Sequence, residues 1–255
     1  MSPRRPSGFA PRILTAALLA TLPATAHGQA PPEATQPGNG RLAWLAVGGA
    51  LTATFFLDQE ARREVYLEEG QDLRGLAEFG NALATPQVVV PAIGGAYLAG
   101  RLLDRPGLSE GALHAVLGLA ASEAATDLLK VVVGRPRPYV GTADGDDLRP
   151  LAFDRDYQAF PSGHVTAAFS LATTVAMESD RRWIATLAYG AATLDAWARI
   201  HDDQHWLSDT AMGALVGTVA TRMTRDRLHR GDHATTDALR IAYGPRGVQL
   251  TLPVP

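Results

Sequence analysis

The 255-residue sequence contains no cysteine, and only 19% of its residues are charged. The lack of cysteine excludes disulfide bridges and thiol chemistry, and it suits an oxidising compartment. The low charge content and the net charge of −3 argue against a nucleic-acid-binding surface or any other extended surface for polyanions. An anion that binds this protein is therefore expected in a local pocket.

Uncharged apolar stretches of full membrane-spanning length are also missing. Residues 42–57 and 88–100 carry no charge, but both are shorter than the about 20 residues that a transmembrane helix needs. Residues 165–177 are uncharged as well but also too short, and the other three apolar stretches contain acidic residues or arginine, which are costly in a bilayer unless they face a functional interior. The sequence leaves open whether the protein is soluble, peripheral or integral in a membrane, and it does not indicate an oligomeric state.

The N-terminal segment has the pattern of an export signal. Arg4, Arg5 and Arg12 precede the apolar run 13–22, and small residues follow at 24–26 with the spacing that a signal peptidase requires. We expect residues 1–26 to be a signal peptide, with an uncleaved membrane anchor as the alternative. Residues 27–40, rich in proline, glycine and small polar residues, are expected to form a linker.

The rest of the chain predicts one all-α domain, a bundle of about six helices over residues 41–230. Strand patterns are absent from its apolar stretches, which are also longer than typical strands. Residues 231–255 form a tail in which alternating apolar residues flank a Gly-Pro-Arg-Gly turn, so we expect a short C-terminal β-hairpin there. The predicted helices cover residues 42–57, 88–103, 111–133, 165–177, 183–200 and 206–223.

Two clusters of residues have the chemistry of an anion site. In the first, a helix ends in a Gly/Pro segment that carries Lys130 and Arg137, which offer a point charge and a two-pronged donor to phosphate oxygens. In the second, Ser162 and Gly163 precede a helix, where a hydroxyl and free backbone N–H groups favour an anion. His164 beside them can exchange a proton near neutral pH. Read singly, the clusters could also be a basic helix flank and an ordinary N-cap.

The third cluster runs from Arg199 to Asp209. His205 and Asp209 are four residues apart, so on a helix they share one face, and the carboxylate can orient the imidazole as a base or nucleophile. A helix-start histidine paired with its neighbour is the alternative. His201, His205 and Asp209 could also ligate zinc, but the surrounding cations would repel a divalent ion and stabilise a phosphoryl group instead.

In this order the clusters resemble the type-2 phosphatidic-acid phosphatase superfamily, which includes bacterial class A acid phosphatases and vanadium haloperoxidases. The family pattern is K-x6-RP, then PSGH, then SR-x5-H-x3-D. The sequence matches it over about residues 111–222, with one departure: Ala198 stands where the family usually has serine. The matching residues are Lys130, Arg137, Pro138, Pro161, Ser162, Gly163, His164, Arg199, His205 and Asp209.

The resemblance implies a phosphoric ester hydrolase that works through a phosphohistidine intermediate, without a metal or other cofactor. It makes His205 the nucleophile, His164 the acid that protonates the departing alcohol, and Asp209 the residue that orients His205. Phosphate binding is assigned to a second group of residues: Lys130, Arg137, Ser162, Gly163 and Arg199.

The substrate is then expected to be a phosphomonoester or a lipid phosphate or diphosphate. The predicted location is periplasmic, or membrane-associated with the active site outside the cytoplasm. A vanadate-dependent haloperoxidase and a catalytically silent envelope protein are the alternatives. The sequence does not distinguish lipid from soluble substrates.

Overall fold

The structure is a computed structural model that describes residues 39–68, 73–140, 145–238, 240–244 and 247–251. The predicted signal peptide lies outside the described residues. The predicted linker does too, except for Asn39 and Gly40, which already belong to the first helix. The domain boundaries drawn from the sequence therefore stay predictions.

The described part of the domain is helical throughout, as predicted. A π-helical turn (Arg63–Glu68) follows the first helix, and two 3-10 turns (Pro138–Val140 and Arg155–Tyr157) lie in the long connection between the fourth and fifth. The seven α-helices are α1 (Asn39–Arg62), α2 (Arg74–Leu83), α3 (Pro86–Leu102), α4 (Pro106–Val133), α5 (Gly163–Glu178), α6 (Arg182–His201) and α7 (Leu207–Ala238).

Helix α2 is a correction to the expected count of about six helices. Its ten residues, RGLAEFGNAL, mix charged, polar and apolar positions, so a search for long apolar stretches misses it. Its buried residues Ala77 and Gly80 recur at helical spacing, and the helix packs against α6. The other six helices overlap the predicted ones, but α7 continues past its predicted end at residue 223 to Ala238, into the segment predicted as the tail.

Local chemistry sets the limits of α3 and α4. Both begin at a proline, Pro86 and Pro106, which is favoured in a first turn because the missing N–H has no partner there in any case. Helix α4 ends at Gly134, whose φ of +60° places it in the left-handed region. A Cβ on Gly134 would lie 1.7 Å from the carbonyl oxygen of Arg149, so only glycine allows the chain to leave the helix here.

Helix α5 lies at the centre of the bundle, in contact with α4, α6 and α7. Two glycines permit its close approach to α7: a Cβ on Gly213 would lie 2.7 Å from the carbonyl oxygen of Ser162, and one on Gly217 would lie 2.3 Å from that of Thr166. The backbone N–H of Ser162 also donates to the carbonyl oxygen of Asp209 at 3.0 Å. The starts of α5 and α7 are thereby held together.

Small side chains dominate the core between α5, α6 and α7. The larger members are Phe169 and Tyr189, whose ring centroids are 6.0 Å apart. Alanine at most other positions lets the helices pack closely, so that short polar groups on neighbouring helices can meet. The cluster consists of Ala84, Val165, Ala168, Phe169, Ala172, Tyr189, Ala192, Ala196 and Ala214.

The N-terminal helices carry much exposed apolar surface. Within the part of the chain that the structure describes, one helical stretch, Leu42–Tyr66, is long and apolar enough to cross a membrane, and α2 with α3 forms a second apolar stretch bent by 46°. Exposed apolar surface on this scale marks a protein or membrane contact. Exposed large side chains on α1 and α3 include Leu42, Trp44, Leu45, Phe56, Val90, Leu98 and Leu102.

The C-terminal hairpin stays a prediction. Two five-residue strands, β1 (Arg240–Gly244) and β2 (Gly247–Thr251), run antiparallel after α7. Two strands that pair only with each other are marginal in water, so their pairing alone does not establish a stable hairpin.

Candidate active site

The three predicted clusters lie at the same end of the bundle. Lys130 is in the last turn of α4, and Gly163 begins α5. Arg199 is in the last turn of α6, and Asp209 is in the first turn of α7. The chain direction therefore brings two helix ends and two helix starts to one place.

The start of α5 leaves donor groups free for an anion. Ser162 is the N-cap residue, but its side chain makes no capping hydrogen bond. Its hydroxyl is fully buried and has no partner among the described residues. Because buried hydroxyl groups are normally hydrogen-bonded, this one is free to bind a ligand. The first N–H groups of α5 beside it are the groups that bind anions at helix N-termini.

The ammonium group of Lys130 lies directly over Gly163. A Cβ on Gly163 would be 3.0 Å from Lys130 Nζ and 3.6 Å from Glu123 Oε2, so a side chain at this position would displace the lysine. Lys130 also lies 3.8 Å from Asp127 Oδ1, at the spacing expected for an ion pair one helical turn apart. A lysine and the N-terminus of α5 thus approach the same point.

Arg137 is held by the loop that precedes α7. Its Nη1 donates to Gln204 Oε1 at 3.1 Å, and its Nε donates to the carbonyl oxygen of Arg155 at 3.1 Å. Neither partner is a carboxylate, so the positive charge of Arg137 is not neutralised by these contacts. The guanidinium is therefore oriented and still able to bind an anion.

Arg199 is anchored by an amide rather than by a carboxylate. Its Nη1 donates to Asn81 Oδ1 at 2.9 Å, while Asn81 Nδ2 donates to Asp202 Oδ2 at 2.6 Å. Asp195 lies one turn before Arg199, at a spacing that would suit a carboxylate holding the guanidinium. Both of its carboxylate oxygens are buried without a hydrogen-bond partner among the described residues. Asn81, from the unpredicted helix α2, makes the contact instead.

His205 contacts a backbone carbonyl group more closely than it contacts Asp209. Its Nδ1 lies 2.9 Å from the carbonyl oxygen of Ala159 and 3.5 Å from Asp209 Oδ2. A carbonyl oxygen only accepts hydrogen bonds, so Nδ1 carries the proton. In the neutral ring this leaves the lone pair on Nε2, the nitrogen that can act as a nucleophile or base.

His205 precedes α7 instead of lying on it, which corrects the expected helical register. The backbone N–H of Trp206 donates to Asp209 Oδ2 at 2.9 Å, the bond by which the third helical residue of a capping box satisfies the N-cap N–H, and the helix starts at Leu207. His201 ends α6, so His201, His205 and Asp209 do not share one helix face. Within the described residues, no group of three histidine and carboxylate side chains could hold a metal ion.

Both histidines titrate below the ordinary range because they are buried beside cations. Burial, followed by the charges of Arg199, Lys130 and Arg137, lowers the pKa of His164 to about 4. Burial, followed by the same three cations, lowers the pKa of His205 well below its usual value. Since all three cations act on both rings, His164 and His205 lie in one region of positive potential.

Asp209 is fully buried next to the Nδ1 atom of His205. Burial raises the pKa of Asp209 to about 6, although the Arg135 guanidinium and hydrogen bonds from Trp206 and Arg135 act to lower it. Arg135 Nη1 donates to Asp209 Oδ1 at 2.8 Å. Arg135, the first arginine after Lys130, therefore faces the carboxylate, whereas Arg137 faces the pocket.

Three participants in the site were not predicted from the sequence, and two of them have no signal in it. Asn81 lies 118 residues before Arg199, and its helix is not an apolar stretch. Ala159 acts through its carbonyl oxygen, so its side chain gives no indication. Arg135 lies in the predicted basic segment and could have been found there, since buried arginine requires acidic partners.

The sequence profile of the PAP2 superfamily matches residues 111–237, close to the segment that carries the resemblance in the sequence. A curated relative, lipid A 1-phosphatase of Porphyromonas gingivalis, is 33% identical over 103 residues. That match covers 40% of this chain and 20% of the relative, so the chain matches only a fifth of the relative's length. The enzyme class of this relative, a phosphoric ester hydrolase, is the one that the motifs predict.

Two crystal structures have a similar fold. LpxE of Aquifex aeolicus superposes with a TM-score of 0.55 at 20% identity, over 67% of this chain and 95% of that one. A transmembrane PAP2-type phosphatidylglycerolphosphate phosphatase from Bacillus subtilis superposes with a TM-score of 0.56 at 18% identity. This superposition covers 74% of the present chain and 94% of the B. subtilis chain. At these identities the likeness concerns the fold. Together with the sequence match over residues 111–237, it shows that this chain belongs to the PAP2 superfamily.

Proposed function

We propose that this protein is a membrane-associated phosphatase that hydrolyses lipid phosphates or diphosphates through a phosphohistidine on His205, without a metal. The observation that carries the proposal is the hydrogen bond between His205 Nδ1 and the carbonyl oxygen of Ala159. It fixes the proton on Nδ1 and leaves Nε2 as a nucleophile in a pocket of three cations.

In the first step, the Nε2 lone pair of His205 attacks phosphorus in line with the bond to the leaving oxygen. The P–N bond forms as the P–O bond breaks, and His164 gives its proton to the departing alcohol. Asp209 stabilises the positive charge that develops on His205. A positioned general acid of this kind contributes about 10²–10⁴-fold to the rate.

The remaining pocket residues bind the three non-bridging oxygens. Their fixed charges and N–H groups are in place before the reaction, which makes such stabilisation the largest single contribution in many enzymes. A water molecule then attacks the phosphohistidine, gives its proton to His164 and releases phosphate. The proposed oxygen-binding groups are Lys130, Arg137, Arg199, the hydroxyl of Ser162 and the N–H of Gly163.

Positive side chains replace a metal in this scheme. His164 is neutral in the empty pocket, because the cations and burial lower its pKa to about 4. A bound dianion would offset those cations and raise the pKa of His164, so substrate binding itself leads to protonation of His164. The supporting observation is that Arg199, Lys130 and Arg137 all act on this ring.

A lipid substrate is supported by the curated relative's name and by the apolar surface of α1 and α3. The B. subtilis structure is described as a transmembrane phosphatase, and Leu42–Tyr66 has the length and composition of a membrane span. We propose that the chain is anchored through these helices and that the pocket opens outside the cytoplasm.

Phosphate release in the presence of a metal chelator tests the reaction. We expect the purified protein to hydrolyse a dispersed lipid phosphomonoester faster than p-nitrophenyl phosphate, and to form an acid-labile, alkali-stable phosphoenzyme. His205→Asn should abolish both, whereas His229→Asn, an exposed histidine late in α7, should change neither. Full turnover by the His205→Asn protein would refute the proposal.

The absence of native cysteine makes the location directly measurable. Leu151→Cys would place one thiol on an exposed residue of the connection near the site, and Asp180→Cys would place one on the exposed turn between α5 and α6. In intact cells an impermeant maleimide should label Leu151→Cys, and the protein should stay with membranes after a carbonate wash. Protection of Leu151→Cys until lysis would contradict an external pocket.

A further inference from the structure

Behind the His205–Asp209 pair lies a buried group of charges that the proposed mechanism does not use. Arg135 Nη1 donates to Asp209 Oδ1 at 2.8 Å, and its Nη2 donates to Asp58 Oδ2 at 2.7 Å. The side chains of all three residues are at most 4% exposed. One cation thus bridges a carboxylate of α1 and the carboxylate beside the proposed nucleophile.

The geometry of Arg135 is fixed from every side. Its Nε donates to the carbonyl oxygen of Gly145 at 3.1 Å, and its guanidinium carbon lies 5.2 Å and 5.4 Å from the ring centroids of Phe55 and Trp206. Hydrogen bonds from all three guanidinium nitrogens, together with two aromatic rings nearby, suit a guanidinium and not an ammonium group. The residue cannot turn toward the phosphate pocket without losing these contacts.

Asp58 also binds the first turn of α7 directly. Its Oδ1 accepts from the backbone N–H of Ser208 at 2.8 Å, and its Oδ2 accepts from the Ser208 hydroxyl at 2.6 Å. That hydroxyl in turn accepts from Arg135 Nη1 at 2.6 Å. The free N–H at the start of α7 is thereby satisfied by a residue 150 positions away.

We propose that Arg135, bridged to Asp58, is a positioning residue for the His205–Asp209 pair and couples helix α1 to the reacting histidine. Arg135 holds one oxygen of Asp209, which directs the other oxygen to the Trp206 N–H and toward His205. The coupling rests on the proposed function of His205. It gives the apolar helix α1 a role in assembling the pocket in addition to any role in anchoring.

A buried ion pair can also be purely structural, and the charges around Asp209 distinguish the two cases. Arg135 contacts this carboxylate, the charge of Arg137 acts on it from the pocket, His205 lies beside it, and Asp58 lies across Arg135. Removing Arg135 leaves two buried carboxylates near each other, so Asp209 binds a proton at higher pH. Removing the charge of Asp58 leaves Arg135 to Asp209 alone and has the opposite effect.

The test compares the pH dependence of kcat in Arg135→Gln and Asp58→Asn. We expect Arg135→Gln to lower kcat by about 10-fold to 100-fold, as for residues that orient a functional ligand, with little change in KM. The acid limb of the kcat–pH profile should move to higher pH by about 1 unit or more in Arg135→Gln, and to lower pH in Asp58→Asn. Arg63→Gln, which alters an exposed ion pair on the same stretch of chain, is the matched control.

The double variant covers the case in which Arg135→Gln fails to fold. Adding Asp58→Asn removes the second buried charge, so the double variant should fold and still show low kcat and a raised acid limb. Wild-type kcat in a folded double variant, or limbs that do not move, would overturn the inference.

Vanadate binding, followed by tryptophan fluorescence, separates this inference from the proposed function. Vanadate binding needs the same histidine but no turnover. We expect Arg135→Gln to lower the affinity for vanadate by at least about 10-fold between pH 5 and 7. A wild-type protein without phosphatase activity would refute the proposed function alone. Equal vanadate affinity in wild type and Arg135→Gln would refute the inference alone.

Discussion

Replacing Asn81 by alanine removes the hydrogen bond that orients the Arg199 guanidinium. Arg199 Nη1 donates to Asn81 Oδ1 at 2.9 Å, and Arg199 Nε is buried without a partner among the described residues. A hydrogen bond to a charged group contributes about 1.5–3 kcal/mol. Loss of this contribution in the transition state lowers kcat/KM by about 10-fold to 150-fold, since about 1.4 kcal/mol corresponds to a factor of ten.

Initial rates of phosphate release from a lipid phosphomonoester measure the effect. Asn81→Asp is the informative second variant: its carboxylate would hold Arg199 more strongly but cancel part of the positive potential, so we expect weaker binding of phosphate as a product inhibitor. Glu78→Ala, on the exposed side of the same helix, is the matched control. Wild-type kcat/KM in a folded Asn81→Ala protein would refute the assignment of Asn81 to the site.

Three further predictions concern protonation and packing. When phosphate binds near pH 5.5, His164 should take up a proton, since its pKa is about 4 in the empty site. Titration calorimetry in two buffers should show less proton uptake by His164→Asn than by wild type. Equal proton uptake would contradict the role of His164 as the acid. Burial raises the pKa of Asp195 from 3.8 to about 7 against the opposing charge of Arg199. The folded protein therefore binds this proton more tightly than the unfolded chain does. The stability gained from it is complete below about pH 3.8 and is lost as the pH rises through 7. The free energy of unfolding of Asp195→Asn, measured by thermal unfolding, should therefore match that of wild type near pH 4 and exceed it at pH 8 by up to about 4 kcal/mol. A difference in stability that does not change with pH would contradict this. Gly217→Ala, whose Cβ would lie 2.3 Å from a backbone oxygen, should destabilise the protein by about 1–3 kcal/mol, whereas Gly190→Ala, with open space around it, should not.

The helices and the proposed pocket differ in how much the sequence predicts of them. Long apolar stretches predict six of the seven helices, because burial of one face leaves a periodic pattern in the sequence. Short α2 leaves no such stretch, since only Ala77 and Gly80 are buried in it. Its packing on α6 depends on contacts between residues more than 100 positions apart, which periodicity does not encode.

The motif residues could be identified because each cluster is short and its side chains do the chemistry. The supporting groups follow different rules. Ala159 contributes only a carbonyl oxygen, and any residue would provide one. Asp58 directly follows the uncharged run 42–57, with Glu60 and Glu64 close behind it, so the sequence neither distinguishes it from them nor identifies its partner. Only the folded chain joins Asp58 to Arg135.

The departure at Ala198 has a physical explanation in the packing of α2 on α6. Ala198 is fully buried, and its Cβ would lie 3.1 Å from a Cβ placed on Gly80. Two small residues thus let the helices approach so closely that the next residue of α2, Asn81, reaches Arg199. Ala198 has no hydroxyl to offer, and the side-chain hydrogen bond of Arg199 goes to an amide from this neighbouring helix. The position of Arg199 therefore depends on the packing of α2.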